Sequence, residues 1–172
     1  MILYLLIGPK GAGKSYISRL MEREFGIYFF RIEDIWLRLE KRKLKKSEKV
    51  RVGRVEIIKN LDRLFRKNKA ISIESTGTSE NFYQFVTSLK ARYKVVLIKV
   101  SADPKICMER IRKRDYFSHV PYEQGELVRI NKLASRIKFD YDYLLDNNNV
   151  SDKELMTSLQ NLISDLGYRG RE

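Results

Sequence analysis

The chain has 172 residues, 43% of them apolar and 33% charged, with 35 Lys and Arg against 22 Asp and Glu and a formal charge of +13. That is enough apolar sequence for one domain with a core, and the positive excess points to anionic partners such as nucleotides, nucleic acid or an acidic surface. One cysteine, Cys107, and one histidine, His119, exclude an internal disulfide and a Cys/His zinc site.

Ile2 to Ile7 is apolar on both faces, as in a strand buried at the centre of a parallel sheet. The run is too short to span a bilayer and lacks the flanks of a signal peptide. A protein of the reducing cytoplasm is the expectation. A glycine-rich turn follows, and then Ile17, Leu20, Met21 and Phe25 recur at helical spacing. Tyr28 to Phe30 reads as a second strand. From Trp36 to Phe65 the pattern is helical, with Val55, Ile58, Leu61, Leu64 and Phe65 predicted on one face.

Ala70 to Ile73 is the third predicted strand, and it ends at Glu74-Ser75-Thr76-Gly77-Thr78. A helix over Phe82 to Ala91 leads to a fourth strand, Val95 to Val100. Asp103 and Pro104 suit the N-cap and first position of the next helix. Leu127, Ile130, Ala134 and Ile137 mark another. Tyr141 to Leu145 is a fifth strand, and Leu155, Leu159, Leu162, Ile163 and Leu166 mark a closing helix with Ser151 as its N-cap. Strands alternating with helices predict an α/β three-layer sandwich around a five-stranded parallel sheet. Ligands of such sheets sit beyond the carboxyl ends of the strands.

The most specific signal is Gly8-Pro9-Lys10-Gly11-Ala12-Gly13-Lys14-Ser15, which matches G-x-x-x-x-G-K-[ST] between a buried strand and an amphipathic helix. Glycines let the backbone wrap so that its N–H groups point at phosphate oxygens, and the helix N-terminus adds its positive dipole end. Lys14 suits the outer phosphates and Ser15 suits Mg²⁺.

With this loop at the start of a short chain of about five alternating units, the sequence resembles the small P-loop kinases: nucleoside monophosphate kinases, shikimate kinase, dephospho-CoA kinase and polynucleotide kinases. The N-K-x-D and D-x-x-G motifs of regulatory GTPases are absent from the sequence. The resemblance implies one kinase domain over 1–172, with an acceptor-binding helical insertion at 31–69 and a lid at 110–126. It implies ATP and Mg²⁺, with Gly8, Lys10, Gly11, Ala12, Gly13, Lys14, Ser15 and Tyr16 around the triphosphate. Arg110 and Arg114, four apart on one helix face, match the lid pair that neutralises the transferring phosphoryl group. Asn147, after strand five, falls where relatives border the adenine, although a plain turn explains it as well.

On the acceptor side, Asp34 matches the residue that meets an acceptor hydroxyl after strand two, or else simply favours a helix dipole. Glu74 sits where relatives place a Mg²⁺-linked acid. Arg31, Arg38, Thr76 and Gly77 complete the expected acceptor set. Ile32 stands where shikimate kinase has its other Asp, and the glycine run after strand three is missing, so shikimate is not the expected acceptor. Arg38 to Arg54 carries nine cations against Glu40 and Glu48, a net +7. That stripe suits an anionic acceptor, or is merely a solvated helix. Three functions stay open: a kinase for a nucleoside, nucleotide or nucleotide-like acceptor, a polynucleotide kinase, and a nucleic-acid-binding ATPase that is not a kinase.

Overall fold

The apolar opening strand decides the architecture. In the computed structural model, which describes residues 1–113, 119–120, 123–148 and 150–165, β1 (Ile2–Ile7) is central, and Leu3 to Ile7 are fully buried. Parallel neighbours flank it on both sides. Leu3 lies opposite Ile71 of β3 (Ala70–Ser75) and Val95 of β4 (Lys94–Ser101). The short β2 (Tyr28–Phe29) and β5 (Tyr143–Asp146) close the edges, in the order β2-β3-β1-β4-β5. Parallel pairing requires a crossover between strands, and helices supply it.

In chain order the helices are α1 (Lys14–Phe25), α2 (Glu33–Glu40), α3 (Lys46–Leu64), α4 (Phe82–Lys90), α5 (Pro104–Arg112), α6 (Gln124–Arg136) and α7 (Asp152–Asp165). Side-chain alternation along β1 assigns them to layers. Leu3, Leu5 and Ile7 enter one core with residues of α2, α3 and α4. Tyr4 and Leu6 enter the opposite core with residues of α1, α5 and α7. The three-layer α/β sandwich read from the sequence is the fold observed. Among the described residues, no helix is long and apolar enough to cross a membrane.

Local signals held where the chemistry was local. Asp103 caps α5, accepting from Lys105 N–H at 2.7 Å, with Pro104 in the first turn. Ser151 and Glu154 form a reciprocal capping box before α7, with Glu154 N–H donating to Ser151 Oγ at 3.3 Å and Ser151 N–H donating to Glu154 Oε2 at 2.9 Å. Leu166 lies outside the described residues.

The helical stretch read over Trp36 to Phe65 is observed as two helices, α2 and α3, and one expectation needs correction, the place of Val55 on the buried face. The chain turns through 41–45, where a continuous helix would stack like charges at Lys41 and Lys45 and at Arg42 and Lys46, and where Leu44 packs back on the core. The buried face of α3 runs through Gly53, Ile57 and Leu61, continuing to Phe65 just past its end, while Val55 is 48% exposed. Val55 is two residues from Ile57, which turns it about 200° around the helix, at about 100° per residue.

Gly53 holds the α2–α3 pair together by having no side chain. A Cβ there would lie 2.2 Å from the Trp36 ring. Replacing Gly53 with Ala in a helix favours the helix by about 1 kcal/mol, but overpacking costs about 1–3 kcal/mol. Gly53→Ala should therefore lower stability by about 1 kcal/mol in a urea titration. It should also shift the emission of Trp36, the only tryptophan in the chain.

Candidate active site

As β1 ends, the chain must turn sharply into α1, and the turn uses left-handed backbone at Gly11 (φ 86°) and Gly13 (φ 93°). Side chains rarely adopt that conformation. Gly13 also lacks room, because a Cβ would meet the Asn147 amide nitrogen at 2.1 Å. The result is a backbone cradle at the N-terminus of α1. Lys14 is buried, 7% exposed, and its ammonium donates to the carbonyls of Gly8 (2.9 Å) and Pro9 (2.7 Å). The protein has thus placed a desolvated cation at the cradle.

Two asparagines brace the loop from outside. Asn147 is buried, and its side-chain amide donates to the Ala12 carbonyl at 2.8 Å, so that side chain is committed to the loop. Its own carbonyl accepts from Arg110 Nη2 at 3.0 Å. Arg110 Nη1 is buried and has no hydrogen-bond partner among the described residues. Asn131 of α6 meets Lys10, accepting from its N–H and donating to its C=O, each at 2.9 Å. Nothing in the sequence singled out Asn131, because the pair lies 121 residues apart. Arg114 lies outside the described residues.

Beside the cradle, Ser15 Oγ donates to Glu74 Oε1 at 2.7 Å. This joins the first turn of α1 to the end of β3. Both groups are hard oxygen donors, the set that suits Mg²⁺ when phosphate oxygens and waters complete its shell.

A cavity of about 860 Å³ opens from Lys14 and Ser15 past Glu74 and Thr76 to Ile32, Glu33 and Trp36. Along α2, Glu33, Trp36 and Glu40 follow i, i+3, i+7 spacing and face it together. Asp34, one residue on, turns away. It is 57% exposed and pairs with Arg31 at 2.9 Å. Glu33 takes the central place instead. Its carboxylate meets Lys10 at 3.6 Å, Arg31 at 3.5 Å, His119 Nδ1 at 2.9 Å and the Val120 N–H at 3.2 Å. Burial pushes its pKa up. Lys10, His119 and the Val120 N–H together outweigh that and hold it below its ordinary value of 4.5.

The other expected residues scatter. Arg38 pairs with Glu56 on the outer side of α2 and α3 and does not line the cavity. Tyr16 ties α1 to α7 through Asp152 at 2.6 Å. Gly77 is buried and lines a smaller recess with Thr78 and Tyr83. Of the nine stripe cations, only Lys46 and Lys49 reach the cavity. Arg129, Ile130 and Leu133 of α6 reach it too. Hydrophobic periodicity marked α6 as a helix but did not show which wall it would form.

A family model for the ATPase family associated with various cellular activities (AAA) matches residues 4–122, more than half of the chain, and the chain belongs to that family. Its fold is that of the small P-loop kinases. A sugar kinase from Janibacter superposes with a TM-score of 0.65 at 14% identity, covering 98% of this chain and 95% of that one. Shikimate kinase from Aquifex aeolicus gives 0.63 at 16% identity, covering 96% and 98%. Thymidylate kinase from Candida albicans gives 0.63 at 14% identity, covering 97% and 92%. No curated protein sequence matches the chain.

A carboxylate held below its ordinary pKa stabilises the fold above its unfolded pKa and ceases to do so as pH falls through the folded value. Glu33→Gln should therefore cost stability at neutral pH. The difference from the parent should close as pH falls below 4.5, as followed by denaturant midpoints from pH 7 to 3 (about 1 unit per step).

Proposed function

We propose that the protein is a Mg²⁺-dependent phosphotransferase that moves the terminal phosphoryl group of ATP to a small nucleoside or nucleotide-like acceptor. The observation that carries this reading is the single cavity that joins the phosphate cradle, at Lys14 and Ser15, to the α2 wall at Glu33 and Trp36. Its volume of about 860 Å³ falls within the usual range for small-molecule sites. Among the described residues, five cations and five carboxylates line it. The +7 stripe lies mostly outside. Both points favour a compact acceptor over a nucleic-acid strand.

The backbone amides of the cradle bind phosphate oxygens. Lys14 and Arg110 supply positive charge where negative charge accumulates during transfer. Arg110 has a buried donor to spare for this. Arg114, on the expected lid, adds to it. Ser15 and Glu74 would hold Mg²⁺, which when bound neutralises phosphate charge. Glu33 orients the acceptor hydroxyl and takes its proton late in the reaction. Asp34, expected in that role from the sequence, supports it through Arg31, which touches both acids. His119 and Val120 meet Glu33 beside the cavity, and a lid closing there would limit access of water.

A second reading is nucleotide hydrolysis without a separate acceptor, and the family match to ATPases favours it. Incubation with γ-labelled ATP and separate pools of nucleosides, monophosphates and oligonucleotides distinguishes the readings. Label in the nucleoside or monophosphate pool is the expected result. Label confined to oligonucleotides favours a polynucleotide kinase, and inorganic phosphate alone favours hydrolysis. Lys14→Ala should cut transfer at least about 100-fold while leaving the fold intact by circular dichroism. Glu33→Gln should slow hydroxyl phosphorylation more than Asp34→Asn does; equal effects would mean that Glu33 is not the group that orients the acceptor.

A further inference from the structure

We propose that Asn131 is a positioning residue for phosphoryl transfer: its carboxamide sets the backbone conformation of Lys10 and so aims the phosphate-binding amides that follow. The inference rests on the phosphotransferase reading. A primary carboxamide offers a donor and an acceptor side by side, and among side chains only those of Asn and Gln do so without a change of protonation state. Asn131 spends both on one residue, with its Oδ1 on Lys10 N–H and its Nδ2 on Lys10 C=O, each at 2.9 Å. A single hydrogen bond would leave the backbone free to swing about it. Two bonds on the two sides of one residue remove that freedom.

The position matters because of what comes next. Gly11, in left-handed backbone (φ 86°), follows Lys10 directly. Glycine is the residue with the most conformational freedom to lose. Asn131 pins Lys10 before it, and Asn147 pins the Ala12 carbonyl after it at 2.8 Å. The two pins come from different elements, α6 and the segment after β5. The cradle is thereby ordered by side chains that touch no phosphate, which lowers the cost of ordering on binding. The Lys10 side chain is directed independently, toward Glu33 at 3.6 Å. Asn131 also belongs to the helix whose Arg129, Ile130 and Leu133 line the cavity. The clasp therefore keeps the loop and that wall in one frame.

Two variants test this. Asn131→Leu removes both bonds while keeping the branched shape of the side chain. Asn131→Asp keeps the acceptor for Lys10 N–H and loses the donor to Lys10 C=O. Calorimetry with Mg·ATP, turnover of γ-labelled ATP at saturation and thermal midpoints are measured on each and on the parent. The expected result is a fall of about tenfold or more in turnover for Asn131→Leu at saturating ATP, since misplaced groups cost up to about 100-fold. The Asp variant, whose carboxylate oxygen opposes the Lys10 carbonyl, should also fall below the parent, and midpoints should stay close to the parent's. Both variants matching the parent in affinity and turnover would overturn the proposal and leave the phosphotransferase reading standing. A loss that only tracks the fraction of folded protein would also overturn it, by making Asn131 merely structural. A parent that takes up no Mg·ATP would bring down the phosphotransferase reading and this inference together. Should Asn131→Leu fail to fold, the isosteric Asp variant decides.

Discussion

A cation buried inside a loop of backbone is the constraint on which the rest of this structure depends. Lys14 is taken out of water, and an ammonium group in that position must find oxygen partners or lose its charge. The carbonyls of Gly8 and Pro9 provide them only because the loop folds back over the start of α1. That path demands left-handed backbone at Gly11 and Gly13. It also demands a rigid strand beneath, and β1, fully buried between two parallel neighbours, is that strand. The two packed layers, the central strand and the two asparagine braces all keep a small ring of amides and one charge in place.

The charge pattern around this loop separates surface from site. The chain is strongly basic, yet among the described residues the cavity walls carry acids and bases in equal number. Within the cavity Glu33 collects contacts from the phosphate loop, from Arg31 just past β2 and from the 119–120 segment. A partly buried carboxylate surrounded by donors stays ionised, since the donors outweigh the desolvation penalty. The same contacts couple three segments far apart in sequence.

Much of the fold was legible in the sequence because its signals are periodic or local. The doubly apolar run at Ile2–Ile7, the caps at Asp103 and Ser151, and the phosphate loop each act over a few residues, where sequence spacing and spatial spacing coincide. The turn at 41–45 escapes a sequence reading because no glycine or proline marks it; within it Leu44 packs back on the core. Glu33 and Asp34 are both acids at the start of one helix. Composition treats them alike, and a rotation of about 100° places one in the cavity and the other outside. The nine stripe cations look uniform in the sequence, yet two reach the cavity. Asn147, expected beside the nucleotide, braces the loop with its side chain.

By itself the sequence determined the class of fold and the presence of a phosphate-binding loop. Both depend on backbone geometry, and short-range residue choices dictate backbone geometry. Only the tertiary structure decided which carboxylate faces the cavity, that Asn131 holds Lys10 across the whole domain, and that most of the basic stripe points elsewhere. Those outcomes turn on how helices rotate and pack against one sheet. Packing sums many weak, long-range contacts, and no single stretch of residues records them.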